Sequence, residues 1–179
     1  ALAGVVAALA VKELGMPVPV GMFFGILTGS LCGLINGLLV TRFRLPPFIA
    51  TLGMMLIARG VALQITGARA VSGLGESFGE LGNGALFRIV NIGDDGFPNV
   101  VFPGIPYPVI LMVVIALAVS FMLNRSILGR HIYAVGSNAD AARLSGVNVA
   151  RVTNFTYILS GTLAGLTGCV LMSRLVTAQ

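Results

Sequence analysis

Apolar residues run along this chain in long stretches separated by short charged turns, and the lengths of those stretches set the first expectation. No charge interrupts Leu14 to Thr41, Phe102 to Asn124 or Val152 to Ser173. Each run reaches or exceeds the roughly 20 residues a helix needs to cross the hydrocarbon of a bilayer. Leu45 to Ala58 is shorter, but Gly60 to Ala68 continues it with only Arg59 between them. Ala1 to Val11 reads as the tail of a further apolar helix cut off upstream. The pattern predicts an all-α, polytopic membrane helix bundle of about five transmembrane segments, with residues 1–179 forming a single transmembrane domain truncated at both ends. Over residues 66–107 the pattern gives way to turn-forming sequence, with Gly93-Asp-Asp-Gly96 inside it and Pro103, Pro106 and Pro108 towards its end. Such punctuation argues against a long helix. A short helix around Glu76 to Leu81 and a β-hairpin both suit it.

Within the predicted spans, small residues recur at helical spacing. Gly21, Gly25, Gly29, Gly33 and Gly37 stand at every fourth position, a stripe that lets a neighbouring backbone approach closely. Ser160, Ala164 and Gly168 form a similar stripe, with Gly161 and Gly165 beside it. Both predict close helix packing and carry no functional signal of their own.

Composition agrees with the membrane reading. Of 179 residues, 56% are hydrophobic and 9% charged, against about 25% charged in an ordinary soluble domain. The net charge of +5 is better explained by topology than by nucleic-acid binding. Arg42, Arg44, Arg125, Arg130, Arg143 and Arg151 face only Asp140 on one set of loops. Lys12, Arg69, Arg88 and Arg174 are outnumbered by Glu13, Glu76, Glu80, Asp94 and Asp95 on the other. By the positive-inside rule, loops 42–46 and 125–151 are expected in the cytoplasm and loop 66–107 outside the membrane. One histidine, six carboxylates and no Cys/His cluster leave too few groups for a metal site or a catalytic triad, so no catalytic residue is expected. Cys32 and Cys169 fall inside apolar runs, where a thiol packs as a small hydrophobe. The opening residues have neither a basic leader nor a small-residue cleavage site, which argues against a signal peptide.

Arg59 is the one charge well within a span, where burial is costly without a partner or water. One explanation is that Leu45-Pro46-Pro47 and Gly53 break or shorten the helix, so that Arg59 snorkels to the outer surface. The other is a polar contact in the bundle or along a translocation route. Asn36, Thr51, Gln64, Thr156 and Thr167 are the further polar residues that suit a path, although each also suits an interhelical hydrogen bond.

The most definite local design lies in the loop at 125–151, over Gly129 to Val149. Ser137 or Asn138 can cap a short helix, Asp140 complements its positive end, Arg143 lies near its negative end, and Gly146 suits a left-handed stop. A helix this short is marginal alone in water and is expected to dock on the membrane domain or on another protein. Ala139, Ala141 and Ala142 give it a slim surface suited to a groove.

This loop closely resembles the cytoplasmic coupling loop of ribose-type permeases of ATP-binding-cassette importers, whose pattern runs Gly-Arg, an aromatic, Gly-x-Asn, Ala-Ala-Arg-Leu-Ser-Gly. The similarity extends to Asn36-Gly37-Leu-Leu-Val, to Pro47-Phe-Ile-Ala-Thr-Leu-Gly-Met-Met-Leu-Ile-Ala-Arg-Gly60 and to Ser160-Gly-x-Leu-Ala-Gly165. The resemblance implies a permease subunit that translocates a monosaccharide of the ribose, xylose or galactose type across the bacterial inner membrane. It implies that Gly136, Ser137, Asn138, Ala142, Arg143, Leu144 and Gly146 couple to the partner ATPase, which binds ATP and magnesium. No cofactor is expected in this chain, and no phosphate-cradling Gly-x-x-x-x-Gly-Lys-Ser/Thr sequence occurs in it. The implied partners are the ATPase subunit, a second permease copy forming a homodimer, a periplasmic sugar-binding protein and the lipid bilayer. The path residues on this reading are Asn36, Thr51, Arg59 and Gln64. A secondary transporter or channel, with Arg59 as its only intramembrane charge, and a membrane scaffold are the rival classes. Within the importer class, a nucleoside, an autoinducer or a branched-chain amino acid are the rival substrates.

Overall fold

The computed structural model describes residues 1–67, 69, 71–72, 82–86, 89–92, 98–102, 104–175 and 177–178. The helices whose bounds lie among the described residues are, in chain order, α1 (Leu2–Lys12), α2 (Val18–Thr41), α3 (Pro47–Thr66), α4 (Tyr107–Arg125), α5 (Ile127–Ser137), α6 (Ala139–Leu144) and α7 (Val149–Leu175). Among them α2, α3, α4 and α7, of 24, 20, 19 and 27 residues, are long and apolar enough to cross a membrane. The fifth expected crossing is represented by α1, a mostly apolar helix of 11 residues ending in Lys12, which is shorter than a span. Proline marks the start of α2, α3 and α4. There its fixed φ favours the first turn, and its missing N–H is one that has no intrahelical acceptor anyway.

The centre of the fold is the antiparallel pair α2 and α7. All five glycines of the α2 stripe are buried. A side chain at Gly29 would strike the backbone of Gly161 and Gly165, one at Gly33 the backbone of Tyr157 and Ile158, and one at Gly37 Asn154. The facing stripe on α7 is therefore Tyr157, Gly161 and Gly165. Ser160 and Ala164, expected on the packing face, are exposed beside it. Among the described residues, two hydrogen bonds join side chain to side chain across the seam, and Cys169 Sγ donates to the Met22 carbonyl over 3.9 Å. Ser30 Oγ lies 2.6 Å from Thr162 Oγ1, and Thr41 Oγ1 donates to Asn154 Oδ1 over 3.0 Å. Helix α1 closes the far end of the pair, where Gly25 sits against Ala3 and the fully buried Cys169, and Val5, Ala8, Ala62 and Met172 form a small core.

The surface left over is apolar. Helix α4 buries no residue, and Phe48, 74% exposed, heads a row of outward hydrophobics along α3 that includes Leu52, Met55 and Leu56. In water such a surface would aggregate; facing lipid it is the solvated side. Helix α3 runs unbroken through Gly53, so the expected break there does not occur, and the helix is limited only by the Pro46-Pro47 start. Arg59 lies exposed in its second half.

Among the described residues, the loop expected to be external contains two short antiparallel ladders, β2 (Ala85–Leu86) with β5 (Ile105–Pro106) and β3 (Ile89–Ile92) with β4 (Pro98–Phe102), and its β1 (Val71–Ser72) pairs with β6 (Thr177–Ala178) beyond α7. The β3–β4 pair is the hairpin alternative. The helix considered at Glu76 to Leu81 lies outside the described residues, as do the charges Glu76, Glu80, Arg88, Asp94 and Asp95. Asn83 Nδ2 donates to the Arg174 carbonyl over 3.2 Å, which ties this loop to the end of α7. At the opposite end, the Thr41–Asn154 bond places the Arg42 to Arg44 turn beside the start of α7 and hence beside loop 125–151.

Candidate functional site

Loop 125–151 folds into two helices and three capped starts. Ser126 leaves α4 in extended conformation, and its Oγ accepts from the Gly129 amide at 3.0 Å, starting α5. Gly129 is buried so tightly against Leu123 that a side chain would strike the Leu123 carbonyl, which permits the sharp turn between α4 and α5. Asn138 caps α6: its Oδ1 accepts from the amides of Asp140 and Ala141, both at 3.0 Å. Asn148 then caps α7 by accepting from the Arg151 amide at 3.1 Å. Of the two cap candidates Asn138 is the one used; Ser137 is the last residue of α5. Neither α5 nor the Asn148 cap is part of the sequence expectation, although Ser126 and Asn148 each carry the side chain such a cap needs.

Helix α6 ends as abruptly as it begins. Gly146 takes φ +83°, its amide donates to the Arg143 carbonyl, and the Val147 amide donates to the Ala142 carbonyl, each at 3.0 Å. These bonds make a Schellman stop, in which a left-handed glycine lets the last carbonyls find donors. Asp140 in the first turn and Arg143 in the last complement the helix dipole.

These caps fix which side chains α6 presents. Ala142, 5% exposed, points inward, so it shapes the seat of α6 and leaves the outer surface to others. Leu144 is 91% exposed, and Arg143 stands exposed beside it. Ser137, Asn138 and Gly146 are also exposed, as is Gly136, where an added methyl group would meet nothing within 4 Å. A large aliphatic side chain held out on a short, doubly stopped helix has little to do within its own fold. Beside α6, a cleft of about 410 Å³ between α5 and α7 is lined by His131, Asn148, Arg151 and Phe155 among others.

The predicted path residues divide. Asn36 and Thr51 line one cavity of about 300 Å³ between α2, α3 and α7, together with Cys32, Met54, Tyr157 and Ser160. Arg59 lines an adjoining cavity of about 480 Å³ with Ala62 and Leu63, and Met55 and Ala58 border both. Arg59 makes no hydrogen bond or ion pair among the described residues. Gln64 is exposed on α3 and lines neither space. Thr156 and Thr167 donate to carbonyls of their own helix, Val152 and Leu163, over 2.9 and 2.8 Å. Tyr157, Ser160 and Cys32 are absent from the sequence expectation, because nothing in a single sequence says which faces of α2 and α7 look towards α3.

The chain thus carries a short helix capped at both ends beside a glycine-packed bundle of apolar helices. The family model described as branched-chain amino acid transport system / permease component matches residues 1–179. The chain belongs to this permease family. The ribose import permease protein RbsC of Bacillus subtilis (strain 168) is 39% identical to this permease over 144 residues, which are 80% of the chain and 40% of the relative. The fructose import permease protein FrcC of Rhizobium meliloti is 36% identical over 169 residues, 90% of the chain and 42% of the relative. The D-allose transport system permease protein AlsC of Escherichia coli (strain K12) is 38% identical over 179 residues, 100% of the chain and 50% of the relative. The permease chain thus spans about half the length, or less, of these relatives. No solved structure gives a significant match.

Proposed function

We propose that this permease is part of the membrane subunit of an ATP-driven importer that carries a monosaccharide across the bacterial inner membrane. The observation that carries the coupling half of the reading is α6, stopped at both ends and holding Leu144 and Arg143 outward. On this reading α6 seats in a separate ATPase subunit, which binds ATP and magnesium, and loop 125–151 with the Arg42 to Arg44 turn faces the cytoplasm. The ladders of loop 66–107 face outward, towards a periplasmic sugar-binding protein, and a second permease copy completes the path. Closure of the ATPase pair displaces α6, and its short connections to α5 and α7 turn that displacement into a tilt of α4 and of the α2–α7 pair. The solute passes along the α2, α3 and α7 face, where Asn36 and Thr51 stand. The sugar substrate is supported by the relatives, whose names are those of ribose, fructose and D-allose permeases.

The test is reconstitution of the full-length permease with its ATPase and binding protein in liposomes, with residues 137–146 natural or scrambled. ATP-dependent uptake of a labelled monosaccharide that disappears with the scrambled loop, while the permease still folds, supports the reading. Retention of the ATPase and of uptake by the scrambled permease removes the coupling role. Uptake of branched-chain amino acids in place of sugars removes the substrate.

A further inference from the structure

The cavity between α2, α3 and α7 combines three properties that together define a ligand chemistry. First, it is small. At about 300 Å³ it stands at the lower edge of the range for small-molecule sites, roomy enough for one compact solute and too confined for a peptide. Second, no charged side chain lines it, its wall also taking in Ala1, Leu2 and Ala3 at the start of α1; the nearest charged side chain on α3, Arg59, belongs to the adjoining cavity. Third, its polar wall has hydrogen-bonding capacity that the fold leaves unused.

Asn36 is the clearest case. Its Oδ1 is buried with no hydrogen-bond partner among the described residues. An acceptor abandoned in that way costs about 1–3 kcal/mol relative to a satisfied one. Across the cavity, neither the Ser160 nor the Tyr157 hydroxyl makes a hydrogen bond among the described residues. Thr51 donates its proton to the Pro47 carbonyl at 2.9 Å, so towards the cavity it is an acceptor only. The wall therefore mixes donors and acceptors. An asparagine amide offers both, and its terminal torsion is broad and two-fold, so a half-turn exchanges the two. Each hydroxyl of a sugar is likewise both donor and acceptor.

We propose that this cavity is a subsite for a neutral polyhydroxylated solute, with Asn36 reading one hydroxyl and Ser160 and Tyr157 holding others. This rests on the importer reading above and narrows it. A zwitterionic amino acid would bring two full charges against a wall without a charged side chain, which within a membrane costs several kcal/mol. A polyol brings none, and it supplies the donor that Asn36 lacks. A site built to hydrogen-bond a hydroxyl rejects the analogue without it more strongly than an apolar site rejects an extra one, so Asn36 is assigned a part in specificity as well as in affinity.

The experiment uses the full-length permease with its ATPase and binding protein in liposomes, comparing the natural protein with Asn36→Ala and with Ser160→Ala, a change on the exposed side of α7. Uptake of labelled D-ribose, D-fructose and D-allose and of their monodeoxy analogues is measured, with retention of the ATPase as a control for assembly. The expected result is a KM for the transported sugar raised about tenfold in Asn36→Ala, with the ATPase retained. One deoxy analogue, penalised in the natural protein, should suffer no added penalty in the variant, because the contact it lacks is already gone. Unchanged uptake and unchanged ranking of the analogues in both variants overturn the subsite. So does a uniform loss for every solute together with loss of the ATPase in Asn36→Ala, with Ser160→Ala unchanged, since Asn36 is then a helix contact. A natural protein that moves none of the sugars overturns the importer reading itself, and that outcome is visible before any variant is made.

Discussion

Ser30 of α2 and Thr162 of α7 share a hydrogen bond of 2.6 Å across the seam where Gly29 and Gly161 meet backbone to backbone. Thr162 also donates to the Ile158 carbonyl at 2.7 Å, so Ser30 supplies the proton between them. In a bilayer such bonds are worth about 0.6 kcal/mol on average and at most about 1.7. A double-mutant cycle of Ser30→Ala and Thr162→Ala, read by unfolding of the purified permease, should give a coupling energy within that range. A coupling of zero would mean that the glycines alone hold the seam.

Glycine substitutions should divide by position. Gly33→Leu forces a side chain into the Tyr157 backbone, and overpacking of this kind costs about 1–3 kcal/mol or more; the expected readout is loss of folded protein in detergent. Gly53→Ala meets nothing within 4 Å and gains helix propensity of about 0.8–1.0 kcal/mol, so yield and melting temperature should hold or rise. Equal damage from both would place an additional helix against α3.

Cap and anchor of α6 should be separable. Asn138→Ala removes two hydrogen bonds at the start of a six-residue helix, a loss of about 1 kcal/mol, whereas Asn138→Asp keeps the acceptor. Leu144→Ala leaves the fold intact, because the side chain is 91% exposed. On the proposed reading its cost falls on the ATPase contact: a hot spot of about 2 kcal/mol corresponds to binding weakened roughly 30-fold. Titration of the full-length permease with its ATPase would check both, and undiminished binding in Leu144→Ala would turn attention to Arg143.

Sidedness can be read with thiol reagents. With Cys32 and Cys169 replaced by serine, a lone cysteine introduced by Leu144→Cys should react with an impermeant maleimide only from the cytoplasmic side. One introduced by Arg69→Cys, exposed beyond α3, should react only from outside. Labelling of both from one side would undo the alternation inferred from the arginines.

The spans, the glycine stripe and the capped helix α6 are legible in the sequence because each rests on a local rule: length of an apolar run, four-residue spacing, and cap chemistry. The α2 stripe packs as its spacing implies. On α7 the spacing alone offers two adjacent stripes, and packing against Gly29 and Gly33 selects Gly161 and Gly165 over Ser160 and Ala164. Helix α5 is hidden in the sequence because its Gly129 and Gly136 suggest a loop. Gly129 is there for a close approach to Leu123, which is a tertiary fact. Arg59 and Gln64, similar in the sequence as polar residues of one span, part company in the fold, since Arg59 borders one of the two adjoining cavities and Gln64 neither.

The α2–α7 pairing also sets a timetable for making the protein. Ser30 and Thr162 lie 132 positions apart, and at roughly 5–20 residues per second of synthesis about 7–26 seconds separate their emergence from the ribosome. For that interval α2 sits in the membrane without α7 in its glycine groove. Helix α1, made first, already covers the groove at Gly21 and Gly25 and stays there in the finished bundle, so the stretch from Gly29 to Gly37 is the part that waits for α7.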